Sequence, residues 1–243
     1  MYIYMDCKIK TWKPVFPKDK QDRTNFTALV IGRRKMGKTD LMGHFLLKYW
    51  NKQFDLIIIF TMATGVEEYS RFTKSRLIFD GFFPSKIQKI IDFNSDSGNE
   101  KINTLVIFDD TGSREQKRDK FILNLFMKSR HWNISVVYNI QTPTLVGPIW
   151  RENSNLIFLF KPKTTKFREF IVDNLISGAL NIQFESKSKE KQFYTRCLMQ
   201  VTNVPFRTMV LDFDNDKIFK YKAPPLKIIR RRKKRKKKEE VKE

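Results

Sequence analysis

In the stretch "FTALVIGRRKMGKTDLM", Phe26 to Met42, an aliphatic run ends on a glycine, and a second glycine, a lysine and a threonine follow at fixed spacing. Gly32, Arg33, Arg34, Lys35, Met36, Gly37, Lys38 and Thr39 fill the pattern G-x-x-x-x-G-K-[ST] without a mismatch. The apolar run before the pattern suits a buried strand, and Leu41, Phe45, Leu46 and Tyr49 after it recur at helical spacing. A strand that turns through glycines into a helix points its backbone N–H groups inward at a helix N-terminus, whose dipole favours anions. Such a loop holds phosphate. Lys38 is placed to neutralise the β- and γ-phosphates of a bound nucleotide and the Thr39 hydroxyl to ligate Mg²⁺, with Asp40 in the same turn completing the ATP-binding stretch.

The order of segments downstream extends this unit into a fold. "FDLIIIFT" (Phe54 to Thr61), "RLIFDG" (Arg76 to Gly81), "INTLVIFDD" (Ile102 to Asp110), "NISVVYNIQ" (Asn133 to Gln141) and "NLIFLF" (Asn155 to Phe160) read as strands, with "RLIFDG" short and edge-like. Helical stretches lie between or after them at Pro84 to Ile91, around Phe121 to Met127, at Thr165 to Leu175 and at Glu190 to Val201. Apolar strands without clean alternation, separated by helices, predict an α/β fold: a mostly parallel sheet covered by helices on both faces. "FRTMVLDF" and "KIFKYK" flank Asp214, Asn215 and Asp216 and predict a C-terminal β-hairpin. Residues 1–23 read as an extended lead-in, residues 24–226 as the domain and residues 227–243 as a polybasic tail.

Two carboxylates close the third full strand. In "LVIFDD" (Leu105 to Asp110) the first acid, Asp109, suits a Mg²⁺ ligand and the second, Asp110, suits the orientation of an attacking water, the form of a Walker B strand. A second acid is what hydrolysis needs and phosphoryl transfer to a small molecule does not. The next strand ends "NIQ", with Asn139 and Gln141 on either side of Ile140, and the C-terminal edge of such a sheet is where ligands bind. Gln141 is therefore a candidate sensor of the γ-phosphate, although a polar residue closing a strand is also common. Arg130 precedes this strand at the end of a helix; it reads either as a finger reaching a neighbouring subunit's phosphate or as a compensating charge at the helix C-terminus. His131, one of only two histidines with His44, has no partner motif and reads as structural.

Charge points to a polyanion. Lys and Arg outnumber Asp and Glu by 48 to 26, for a net +22, and a basic surface of that size favours nucleic acid over other partners. The tail holds Arg230, Arg231, Arg232, Lys233, Lys234 and Arg235 within a longer unbroken basic run, suited to DNA phosphates or to a nuclear-import address. "KPKTTKFR" (Lys161 to Arg168) offers a further basic strip, which reads equally as a solvated helix face. The longest aliphatic block, "LIIIF", falls far short of the ~20 residues that span a bilayer, so no membrane-spanning segment is expected. The two cysteines, Cys7 and Cys197, show no CxxC or histidine spacing, so neither a disulfide framework nor a zinc site is expected.

Taken in order, "IGRRKMGKT", "LVIFDD", "SRHWNISVVYNIQ" and the C-terminal hairpin resemble the FtsK/HerA superfamily of P-loop translocases, and within it the small DNA-packaging ATPases of poxviruses, other large DNA viruses and virophages. The resemblance implies a RecA/ASCE-like P-loop NTPase fold and ATP hydrolysis with Mg²⁺. It also implies a homo-oligomeric ring, commonly a hexamer, that drives double-stranded DNA into a preformed capsid and so works with a capsid or portal-vertex protein. The setting it implies is an infected cell, in a cytoplasmic virus factory or the nucleus, or the virion. Two departures stand out: Met36 is bulky where a small residue is usual and threatens to crowd the loop, and Asp110 stands where relatives often carry glutamate. A nucleotide kinase and a non-catalytic basic scaffold with a degenerate P-loop are the alternative readings.

Overall fold

Runs of Val, Ile, Leu and Phe set side by side leave no polar face to turn to water, so they pair into one sheet with both faces buried. In the computed structural model, which describes residues 9–14, 25–73, 75, 77–110, 119–178 and 183–226, that sheet has eight strands. They are β1 (Thr27–Ile31), β2 (Leu56–Thr61), β3 (Ile78–Asp80), β4 (Thr104–Asp109), β5 (Ile134–Ile140), β6 (Leu156–Leu159), β7 (Arg207–Asp212) and β8 (Lys217–Lys222). Their spatial order is β3-β2-β4-β5-β1-β6-β7-β8. β1 to β6 are parallel, whereas β7 runs antiparallel to β6, and β8 antiparallel to β7. The predicted parallel sheet and C-terminal hairpin are both present, with "RLIFDG" supplying the edge strand β3.

Helices divide unequally between the faces. On one side α1 (Lys38–Phe45), its continuation through a π-helical turn (Leu46–Trp50) into α2 (Asn51–Gln53), and α3 (Ala63–Tyr69) cover Ala28, Val30, Ile59, Ile107 and Val137. On the other, α4 (Pro84–Ser95), α5 (Lys120–Lys128), α6 (Pro148–Glu152), α7 (Thr165–Ile171) and α8 (Lys187–Thr202) cover Leu29, Ile31, Val106, Phe108, Val136 and Tyr138. α3 and α6, at seven and five residues, escape sequence reading because neither is long enough to display a helical period. α7 runs into a second π-helical turn, Val172–Ile176, which keeps Leu175 and Ile176 buried.

Two features depart from the sequence reading. Trp12, in the stretch read as a lead-in, enters the core: its backbone N–H donates to the Lys220 carbonyl at 2.9 Å, and its ring meets Phe45, Phe158 and Tyr221 edge-on at 6.0, 5.4 and 5.6 Å. The extended backbone there also accepts from Lys220 through Lys10 and so occupies the free edge of β8, an edge that otherwise invites association. Cys197, buried on α8, is disulfide-bonded, against the expectation from spacing. The polybasic tail, including Arg230 to Arg235, lies outside the described residues. Among the described residues no helix is long and apolar enough to cross a membrane.

Because Trp12 bridges α1, β6 and β8, Trp12→Ala is expected to destabilise the chain by about 3 kcal/mol, the usual cost of emptying a buried indole site. Urea unfolding checks this; a loss below ~0.5 kcal/mol, the range of surface substitutions, would show that the segment is not part of the folded unit.

Candidate active site

The C-terminal ends of the parallel strands share one edge of the sheet, and the loop from Gly32 to Gly37 rises from it between β1 and α1. Its curl requires left-handed backbone at two places, Lys35 (φ 63°) and Gly37 (φ 93°). Alternation of this kind brings successive N–H groups to a common centre. Gly37 is also the N-cap of α1, and no side chain caps that end, which leaves the first-turn N–H groups for a ligand. Gly32 has a separate constraint, since a Cβ there would fall 2.7 Å from the Cβ of Phe160.

Met36 does not crowd the loop. It carries no positive φ, packs beside the cluster formed around α1, and places its sulfur 3.4 Å from Arg33 Nε. Arg33, Arg34 and Lys35 are exposed, so three charges coexist in a tight turn by facing solvent. Lys38 is the buried charge of the loop, 6% exposed, with its ammonium 3.3 Å from the Arg33 carbonyl. Burial lowers its pKa, and the carboxylates of Asp110 and Asp109 oppose that shift. Thr39 is half-buried and Asp40 exposed in the first turn of α1.

Asp109 ends β4 and is directly paired in register with Asn139 on β5. Paired residues in a sheet project from the same face, and the Asn139 amide accordingly donates to Asp109 Oδ1. The phenol of Tyr69, at the end of α3, donates to Oδ2 at 2.9 Å. Tyr69 and Asn139 have no measurable exposure and Asp109 has 6%. Burial foremost, with Asp110 adding repulsion, pushes the Asp109 carboxyl up to about 6, while Tyr69 and Lys38 hold it back. Asp110 follows with φ 55°, in the left-handed region that Asp enters more readily than most residues, and its Oδ1 is buried without a hydrogen-bond partner.

Tyr69 is not identifiable as a site residue from sequence, and Asn139, though placed with Gln141 at the strand's end, is not identifiable as the partner of Asp109. Tyr69 looks like an apolar helix residue, and the role of Asn139 depends on strand register. Gln141 stands one residue beyond β5 on the edge that carries the loop, half-buried. Arg130 is elsewhere: it precedes the N-terminal end of β5, at the opposite edge, and its guanidinium donates to Asn155 Oδ1 at 3.0 Å. A strand of this length separates it from its own Lys38 by roughly 20 Å. His44 is buried against Phe45, Tyr49 and Tyr221, as a structural histidine, and His131 is exposed.

Two acids and a hydroxyl beside a phosphate loop form an oxygen donor set of the kind that suits a hard divalent cation. The unpartnered Asp110 oxygen and the raised Asp109 carboxyl are what such a set shows before positive charge arrives. The model of the poxvirus A32 protein family matches residues 13–158, a span that contains the loop, both acids, Arg130 and Gln141. The chain belongs to the poxvirus A32 protein family. An uncharacterized protein, 015R, of Frog virus 3 (isolate Goorha) is 28% identical over 211 residues, which is 81% of this chain and 61% of that protein. The chain therefore spans less than two thirds of that relative's length.

Solved structures share the fold of this A32-family chain. The DNA-packaging ATPase B204 of Sulfolobus turreted icosahedral virus superposes with a TM-score of 0.60 at 17% identity, covering 82% of this chain and 98% of that one. The conjugation coupling protein TcpA of pCW3, with ATPγS, superposes with a TM-score of 0.56 at 13% identity, covering 82% of this chain and 60% of that one. The fold is thus that of the P-loop NTPases, as the motif order implied.

An acid held above its ordinary value favours its protonated form in the folded chain. The ionised Asp109 carboxylate therefore subtracts stability above about pH 6, and that loss fades as pH falls from 6 toward the ordinary 3.8. Asp109→Asn is expected to melt higher than the native chain at pH 8 by at least about 2 °C, with the difference shrinking toward pH 5. Thermal unfolding across that range tests it; a difference that does not change with pH contradicts a buried, charged Asp109.

Proposed function

We propose that this chain is an ATP-hydrolysing motor that moves double-stranded DNA, and that in its family setting it packages a viral genome into a preformed capsid. The observation that carries the reading is the placement of β5 between β1 and β4. This sets a polar strand end, Asn139 and Gln141, between the phosphate loop and the two acids. Hydrolysis needs a water held in line with the γ-phosphate, and a strand at that place supplies the groups to hold it.

In this mechanism the loop amides bind the phosphates and Lys38 neutralises the charge that builds on the γ-phosphoryl oxygens. Thr39 and Asp109 would hold Mg²⁺, which when bound adds charge neutralisation at the β- and γ-phosphates. Tyr69 and Asn139 fix the Asp109 carboxylate, so it need not reorganise when substrate arrives. Asp110 positions the attacking water and takes its proton. Its buried oxygen without a hydrogen-bond partner supports this role, because it is left for a ligand. Gln141 senses the γ-phosphate.

Arg130 completes the site only from a second subunit. Its position at the far edge of the sheet supports action in trans, since an arginine held there by Asn155 is out of reach of its own loop and can serve only a neighbour's. A finger of this kind contributes ~10³ to 10⁵ in rate, so turnover becomes dependent on a ring, which we read as a hexamer. The work of hydrolysis passes to basic surfaces that follow the phosphate backbone without reading bases. A body charge of +14 remains after the tail's +8 is set aside, which supports a DNA partner for the folded part. The packaging ATPase whose fold it shares supports genome packaging as the task.

Lys38→Ala is expected to abolish duplex-stimulated ATP turnover while leaving the fold intact by circular dichroism. Phosphate release with and without duplex DNA measures it. Unchanged turnover would remove the loop from the mechanism, and transfer of the phosphoryl group to an added nucleoside would indicate a kinase.

A further inference from the structure

The acids fix which way a nucleotide lies in the loop. Asp109, Asp110, Asn139 and Gln141 all stand on the β4–β5 side of β1, so the terminal phosphate points there. The sugar and base must then leave on the other side, over β6 and β7. β7 is antiparallel to its neighbour, with Leu159 paired to Met209, so the residues just before Arg207 emerge at the same edge as the loop. Phe206 is the last of them.

Phe206 has three properties that the core does not explain. It is 51% exposed. Its backbone is left-handed, φ 60°, which an aromatic residue adopts only when its surroundings impose it. Its ring lies on the loop itself: a Cβ on Gly37 would come within 2.8 Å of Phe206 Cδ1. The segment that presents the ring is anchored on both sides. Arg207 donates from Nε to the Val201 carbonyl at 2.7 Å and from its terminal nitrogen to the Gln200 carbonyl at 3.1 Å. Lys161, beyond β6, donates to Asn203 Oδ1 at 2.8 Å. A strained, half-exposed aromatic ring is thus held rigidly beside the phosphate loop, on the side where the base must lie.

We propose that Phe206 is the platform on which the nucleobase stacks, and that it sets this chain's affinity for a nucleoside triphosphate over bare polyphosphate. The inference rests on the reading of Gly32 to Thr39 as a nucleotide site, but Phe206 lies outside the span matched by the family model and owes nothing to that match. Every base has a π-face, so a flat ring accepts any of them, and larger purines gain more overlap than pyrimidines.

Isothermal titration of the full chain with Mg-ATP and with Mg-tripolyphosphate tests this. Phe206→Ala is expected to weaken ATP binding about tenfold, the lower range for losing one stacked base, and to leave tripolyphosphate binding within about twofold. Phe206→Gly, which takes φ 60° without strain, should give the same pattern and guards against a misfolded loop. Phe206→Trp should keep native ATP affinity. Equal weakening of both ligands would mean that the ring only supports the loop, and unchanged ATP affinity would mean that the base lies elsewhere; either overturns the proposal. Failure of the native chain to bind both ligands would instead overturn the nucleotide-site reading itself.

Discussion

The buried carboxylate of Asp109 is the constraint around which this edge of the sheet is organised. Removing a charge from water is costly unless donors replace the lost hydration. Here a phenol and an amide do so from two different elements, and the Lys38 ammonium adds an opposite charge from a third. Their convergence depends on the rest of the fold. Asn139 reaches Asp109 because β4 and β5 pair in register; Lys38 faces both acids because α1 starts beside β1, the next strand over; Tyr69 arrives because a short helix follows β2 directly. A slip of one residue in β5 would turn Asn139 to the opposite face and leave the carboxylate without its amide.

Much of this was legible in the chain itself. Aliphatic runs of five to seven residues have few alternatives to a buried strand, and the glycine pattern after the first of them fixes the loop. Lys38 and Thr39 are read from that pattern and Asp109 from the acids that close "LVIFDD", because each is set by local spacing. What was not legible depends on tertiary placement. Trp12 looks like part of an irregular leader until β8 provides an edge for its backbone. Tyr69 resembles any helix aromatic until its hydroxyl is seen against an acid. Phe206 is one of 22 phenylalanines and differs only in where β7 begins. Met36 threatens to crowd the loop by its bulk, and it does not because Lys35 and Gly37, on either side, take the left-handed turns.

The two edges of the sheet carry different chemistry. One holds the loop, the acids and the exposed ring of Phe206. The other holds a polar network: Asn155 accepts from Arg130 and from the Thr27 backbone at 3.0 and 2.9 Å, and donates to Asp214 at 2.6 Å. This ties β1, β6 and the hairpin together and gives Arg130 a defined position rather than a free one. An arginine so held, far from its own nucleotide loop, fits a site that is divided between neighbouring subunits. In such an arrangement hydrolysis reports that a neighbour is in place, and a subunit alone is nearly idle.

That division is the central claim, and the most direct measurement is the structure of the full chain assembled on duplex DNA with a non-hydrolysable ATP analogue, determined by electron cryo-microscopy. The account predicts a closed ring with DNA in its centre and Arg130 of each subunit at the γ-phosphate held by Lys38 of the next. A monomer with a closed site, or a ring in which Arg130 faces solvent, would contradict it.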